Sequence, residues 1–195
     1  MEILSKFSLF GFLFLIAGSL CGQNDPANQI RNAGFEDNDR DLRSPVDWNT
    51  SPPLKLGILE GAFVDSRRGH TGRHSLCLNP GIAERGGERE KTVAAEQKLK
   101  VKGKKTVVFG FWTLRSAEAG PMTWQCEVWT GERKLLTNMT LAGRFADGKS
   151  ETWVRHQETV ELPQQAYRIR LILSATGPGP RWIDDVLWRP AGDDD

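Results

Sequence analysis

Histidine, cysteine and tyrosine are scarce in this chain of 195 residues, which holds 3, 3 and 1 of them. Their scarcity removes most enzyme chemistries built on those side chains. His70 and His74 lie four apart, but a turn and a strand-like run part them, and no HExxH occurs. There is no GxSxG and no cysteine–histidine pairing with local support. An excess of one charge is also missing. Lys and Arg number 26 and Asp and Glu 25, for a net charge of +1, and the basic residues are scattered. That excludes an overall pull toward nucleic acid or anionic membrane. Long helical periodicity is absent, and apolar runs of membrane-spanning length are absent beyond the first residues.

What stands at the start is a targeting pattern. A short charged lead with Glu2 and Lys6 precedes an apolar run from Phe7 to Ala17, and then come Gly18, Ser19, Cys21 and Gly22. This reads as a secretory signal peptide over residues 1–22, too short for a membrane span. Residues 23–195 are then one exported domain, secreted or held in the cell envelope and large enough for its own core. Cys21 offers a competing reading, a lipid-anchored N-terminal cysteine, and Leu20 before it counts against that. Export permits a disulfide between Cys77 and Cys126, but Cys77 alternates with Leu76 and Leu78, which faces it away from the core. Cys126 shares a face with Trp124 and Val128. Two free thiols are favoured over a bridge.

Period-two patterns dominate the rest. Strand candidates are Ile58 to Val64, His74 to Leu78, Val93 to Val101, Thr106 to Leu114, Trp124 to Trp129, Lys134 to Leu141, Thr152 to Leu162, Tyr167 to Ala175 and Trp182 to Trp188. Turn chemistry breaks them at Arg68-Gly69-His70, Asn79-Pro80-Gly81, Lys102-Gly103-Lys104, Ala119-Gly120-Pro121 and Gly177-Pro178-Gly179-Pro180. The glycine-bearing stretch Gly81 to Arg89 reads as a loop, and Asp193-Asp194-Asp195 as a solvated tail. Many short strands with such turns predict an all-β chain, an antiparallel β-sandwich of the jelly-roll kind.

The two ends carry matching halves of one signature, Asn32-Ala33-Gly34-Phe35-Glu36 and Ile183-Asp184-Asp185-Val186. A fold that brings its ends together sets these carboxylates side by side. Between them, in order, come Trp48, Asp65 to Leu76, Gln97, Phe109 to Leu114, and Glu151-Thr152-Trp153. In this series the chain resembles carbohydrate-binding modules of the family 4/9 type, with a family 22-like flavour, on the galactose-binding-like jelly roll. The resemblance spans nearly the whole mature chain. It implies non-catalytic binding of a glycan or polysaccharide and a structural Ca²⁺. Carried over by position, Glu36 and Asp184 supply carboxylates to the metal, His70 and Gly72 belong to a loop that supplies carbonyls, and Asp65 and Asp185 are weaker candidates. The plainer alternative is that Glu36 and Asp184 cap strands or pair with Arg31 or Arg181. Trp48, Trp112 and Trp153 stand where the family packs an aromatic in the core, and Trp182 packs near the closing motif.

The chain has 7 tryptophans. Trp124 and Trp129 are five apart, so a regular strand points them to opposite faces and one leaves the core. Along Tyr167 to Leu173 the odd positions form the apolar set, and Arg168 and Arg170 share the other face. The candidate glycan-lining residues are Trp124, Trp129, Arg115, Glu127, Arg155, Gln157, Arg168 and Arg170, because aromatic faces stack on sugar rings and Arg or Gln meets hydroxyls or uronate carboxylates. A solvated sheet face is the plainer account of the polar ones. From Trp153 to Val160 neither face is cleanly apolar. Asp184 and Asp185, adjacent on a strand, point to opposite faces and do not flank one bond as a glycosidase pair does. Asn49-Thr50-Ser51 and Asn138-Met139-Thr140 fit the N-glycosylation pattern. The rival function is an envelope or secreted protein-interaction scaffold, which calls for an exposed apolar patch without a groove.

Overall fold

The computed structural model describes residues 26–39, 43–54, 59–81, 91–101, 105–131, 136, 141–144 and 151–192. The expected signal peptide with Cys21, the loop beyond Gly81, the Lys102 turn, Asn138 and the acidic tail lie outside the described residues.

Twelve strands and no helix make up the described chain: β1 (Asn38–Asp39), β2 (Ser44–Pro45), β3 (Asn49–Ser51), β4 (Gly61–Asp65), β5 (Ser75–Asn79), β6 (Thr92–Lys100), β7 (Lys105–Arg115), β8 (Met122–Trp129), β9 (Leu141–Arg144), β10 (Val154–Leu162), β11 (Arg168–Thr176) and β12 (Arg181–Pro190). Two five-stranded antiparallel sheets form the sandwich, in the orders β10-β7-β12-β5-β4 and β3-β6-β11-β8-β9, and β1 pairs with β2. The strands predicted from alternation are present. Lys134 to Leu141 is the exception, since the strand there begins only at Leu141 and most of the predicted stretch lies outside the described residues. The short β1, β2 and β3 carry no alternating apolar pattern that would announce them.

Alternation sets the core. Val93, Ala95, Gln97 and Leu99 of β6, Met122, Trp124, Cys126 and Val128 of β8, and Ile169, Leu171, Leu173 and Ala175 of β11 face inward and are buried. They meet Leu76 and Leu78 of β5, Val107, Phe109 and Phe111 of β7, and Ile183, Val186 and Trp188 of β12. Phe109 sits at the centre, its ring 5.0 Å from Trp124 and 5.7 Å from Trp188. Trp48 packs in this core against Phe35 at 5.3 Å, as expected of it. Trp112 and Trp153 do not. Both are half-buried outside the main core: Trp112 is at an even, outward position of β7, and Trp153, just before β10, packs against the small cluster of Phe63, Cys77, Leu114 and Trp182.

Two buried polar side chains fasten the layers. Gln97 receives the Arg31 N–H at 3.0 Å and donates to the carbonyls of Arg31 at 2.9 Å and Asp47 at 3.3 Å, tying the N-terminal segment to β6. Arg181 donates to the carbonyls of Gly120, Thr176, Gly177 and Gly179 and so gathers two turns. Burial pulls its pKa down to about 10. Cys77 and Cys126 are free and both buried. Cys77 faces away from the main core, but a small second cluster of Phe63, Leu114 and Trp182 covers it. Burial pushes both thiols up, Cys126 to about 12, so they are inert as nucleophiles.

Candidate functional site

The signature halves do meet. The Val186 N–H donates to the Ala33 carbonyl at 3.0 Å, and Asn28 bridges to Val186 and Trp188. Asn32 and Phe35 both have positive φ, 50° and 56°. Phe35 is a bulky side chain in a region such residues rarely adopt, so the surrounding bonds hold it there. The Asn32 side chain does this locally. It donates to the Asp37 and Val46 carbonyls and accepts the Asp37 N–H. The bend aims Glu36 at the segment Arg73–His74.

Glu36 Oε1 accepts the backbone N–H groups of Arg73 at 2.8 Å and His74 at 3.1 Å, and its Oε2 lies 2.7 Å from His74 Nδ1. Burial works against the charge, but these hydrogen bonds outweigh it and hold the carboxyl below its ordinary range. Gly72 is required beside it: its φ is +71°, and a Cβ there would lie 2.2 Å from Glu36 Oε1.

The other half corrects the expectation for the two aspartates. β12 carries a bulge against β7, with Asp184 opposite Trp112 and Leu187 opposite Gly110, and Asp185 has φ 50°. The extra residue cancels the strand alternation, so both carboxylates reach the same loop. Asp184 Oδ2 accepts the N–H groups of His70 at 2.7 Å and Thr71 at 3.1 Å, and its Oδ1 accepts the Asp185 N–H. Asp185 lies 2.7 Å from His70 Nδ1 and accepts the Thr71 hydroxyl at 2.6 Å. His70 is stacked on Trp112 at 3.9 Å and meets Trp153 edge-on at 5.5 Å, which is where those two aromatics are used. Neither of the plainer ion pairs exists. Arg31 pairs with Asp47, and Arg181 binds carbonyls.

Asp184 is fully buried and receives three N–H groups. Burial, with the charge of Asp185 added, pushes its carboxyl up to about 8. A hard cation such as Ca²⁺ prefers carboxylate and carbonyl oxygens. Glu36 and Asp184 therefore fit the implied metal in donor chemistry. The charged set is small, however, with no cluster of three His, Cys, Asp or Glu groups at metal-holding distance among the described residues. The remaining oxygens would come from backbone carbonyls. Asp65 stands apart. Its oxygens accept from Trp182 Nε1 at 3.0 Å and from the Arg67 backbone and guanidinium.

A second feature lies on the other sheet. On the outer face of β6, β11 and β8, the register sets Lys100, Arg168 and Trp129 in one row and Lys98, Arg170 and Glu127 in the next. Arg170 Nε donates to Glu96 Oε2 at 2.6 Å, and its Nη1 lies 3.3 Å from Glu127. The Glu96 bond, then the two acidic charges, push the Arg170 pKa up. A groove of about 610 Å³ opens here, lined by Glu96, Lys98, Trp129, Thr130, Gly131, Tyr167, Arg168 and Arg170.

The predicted lining residues therefore separate. Trp129, Glu127, Arg168 and Arg170 come together on this face. Trp124 does not; it is 3% exposed between the sheets, so Trp129 is the one that leaves the core. Arg115, Arg155 and Gln157 belong to β7 and β10 of the opposite sheet, where Arg155 donates to Gln157 at 2.7 Å. By alternation Tyr167, at an odd position, belongs to the inward set. It precedes β11, escapes the strand's alternation and is 41% exposed over Gly131. Being the only tyrosine beside a turn was its one signal in the sequence.

No protein-family model matches the chain, and no curated protein matches it. Solved structures do. The enzymatically active domain of bacteriophage CBA120 tailspike protein 4 superposes with a TM-score of 0.61 at 13% identity over 85% of this chain, which spans 22% of that one. A family 16 carbohydrate-binding module gives 0.57 at 15% identity, over 83% of this chain and 99% of that one. The second family 22 xylan-binding domain of Paenibacillus barcinonensis Xyn10C gives 0.54 at 15%, over 82% and 98%. At these identities the likeness is one of fold: this chain is an antiparallel β-sandwich of the jelly-roll kind found in carbohydrate-binding modules.

Proposed function

We propose that this chain is an exported, non-catalytic glycan-binding module that takes a polysaccharide along the outer face of the β6–β11–β8 sheet. The observation that carries this reading is the open groove with two aromatic rings, Trp129 and Tyr167, beside charged side chains. Apolar ring faces stack on sugar C–H patches, and polar neighbours orient the hydroxyls. The groove lies on the sheet opposite Asp184, as a module with a separate structural site requires. The jelly-roll neighbours named as carbohydrate-binding modules support the reading at the level of fold, and the ordered motifs favour the family 4/9 type among them. The scaffold alternative asks for an exposed apolar patch. Among the described residues the exposed large hydrophobics are Val46, bonded to Asp37, Leu59, bonded to Asn79 of β5, and Tyr167, bonded to Trp129 of the other sheet, so they do not gather into one patch. Asp184 and Asp185 are buried and bound to the loop above them, which argues against their use as a hydrolytic pair.

The structural Ca²⁺ is part of the proposal, with Glu36 and Asp184 as its carboxylates and export resting on residues 1–22. A screen of residues 23–195 against polysaccharides tests the function. Saturable binding that Trp129→Ala and Tyr167→Ala each weaken at least tenfold, with melting unchanged, supports it. Binding untouched by both variants moves the site elsewhere. For the metal, Ca²⁺ raises the melting temperature of the parent over that in chelator and leaves Asp184→Ala unmoved. Equal melting of the parent in both conditions removes the metal.

A further inference from the structure

Lys98, Lys100 and Arg168 face outward from β6 and β11 and are exposed. None of the three has an ion-pair partner among the described residues. Arg170 is different, clasped by Glu96 and Glu127. Four cations thus stand against two anions on this patch, an excess of two, where the whole chain carries +1. The excess sits at one end of the groove. Lys100 is directly opposite Arg168 in register, and Lys98 is diagonal to it. Like charges directly opposite each other weaken a sheet, and an acid at either position would relieve them. No such acid is present, although acids neutralise Arg170 one row away.

The aromatic rings occupy the same end. Trp129 is opposite Arg168 on the other side, and the Tyr167 N–H donates to the Trp129 carbonyl at 2.9 Å. Gly131 lies against the Tyr167 ring, where an added Cβ would stand 3.8 Å from it, so no larger side chain covers that face. One ligand chemistry matches this arrangement: a ring with an apolar face for stacking and an acidic group at its rim for the cations. We infer that the groove selects an anionic polysaccharide, bearing uronate carboxylates or sulfate esters, over neutral glycans. The inference rests on the glycan-binding reading of this groove and names its ligand class.

The test is calorimetric titration of residues 23–195 with polygalacturonate and alginate, the methyl ester of polygalacturonate, dextran sulfate with plain dextran, neutral xylan and galactan, and polyglutamate. Each is run at 50 and 300 mM NaCl. The expected result is at least tenfold tighter binding to an acidic polymer than to its uncharged counterpart, weakened by salt. The uronate and sulfate arms identify which acid group is read. The exposed variant Lys98→Gln/Lys100→Gln/Arg168→Gln erases that preference and melts no lower than the parent, and Trp129→Ala removes binding altogether. Equal or tighter binding to neutral polymers overturns the charge inference and leaves the glycan module standing. Polyglutamate binding as well as the acidic sugars overturns it too, because charge alone is then read. Binding to no polysaccharide at all takes down both readings.

Discussion

The outer faces of the two sheets treat charge in opposite ways. On the β7–β12–β5 sheet, the segment from Arg67 to His74 folds over the strands, and Asp65, Asp184 and Asp185 are buried beneath it, each bonded to named N–H or O–H groups. On the β6–β11–β8 sheet nothing among the described residues folds over Lys98, Lys100 and Arg168, and they stay open beside two aromatic rings. A buried charge must be satisfied by the fold, so the first face is architecture. An exposed charge without a partner costs little to keep, so the second face is free to serve a ligand.

The sharpest test of that contrast uses two tryptophans of one strand. Trp124→Ala empties a core site against Phe109 and lowers stability by about 4 kcal/mol in urea denaturation. Trp129→Ala changes it by less than about 1 kcal/mol and acts on glycan binding instead. Similar stability losses for both would erase the distinction between the faces. Next in size is Asp184→Ala, which strips the acceptor from three N–H groups and costs about 3 kcal/mol in the same assay.

Acid separates the faces further. Hydrogen bonds from Trp182 and Arg67 overcome the effect of burial and hold the Asp65 carboxyl below its ordinary 3.8. A depressed native pKa contributes stability above about pH 4 that is lost as pH falls through the native value. The parent therefore loses urea resistance below pH 4 more steeply than Asp65→Asn does. Parallel pH profiles for the two would show that the Trp182 and Arg67 bonds do not set this carboxyl. The smallest effect belongs to the open face. Lys100→Gln removes a like-charge contact with Arg168 and raises stability by a few tenths of a kcal/mol, up to about 1 kcal/mol. A loss instead would mean that Lys100 is held by contacts the open face does not offer.

Much of this was legible from residue pattern. Alternation located most of the strands, because inward positions of β6, β8 and β11 must be apolar to fill the core. It also required one of Trp124 and Trp129 to leave the core, and the parity of Met122, Cys126 and Val128 inward shows that Trp129 does. The matching end motifs announced that the termini meet, as the bond from Val186 to Ala33 bears out. Where alternation was broken, the reading failed. The bulge after Asp184 turned Asp185 back toward the same loop, and Tyr167, lying just before its strand, was freed from the inward set.

The sequence by itself determined a two-layer antiparallel sandwich, since period-two burial is a local property of each strand and needs no knowledge of its neighbours. Only the tertiary structure decided which charges work together. Lys98, Arg168 and Trp129 share a groove, and Arg115, Arg155 and Gln157 were sent to the opposite sheet. The physical reason is that strand order and register are set by the closing of the whole core, so residues far apart in sequence acquire a common face only when the sheets are assembled.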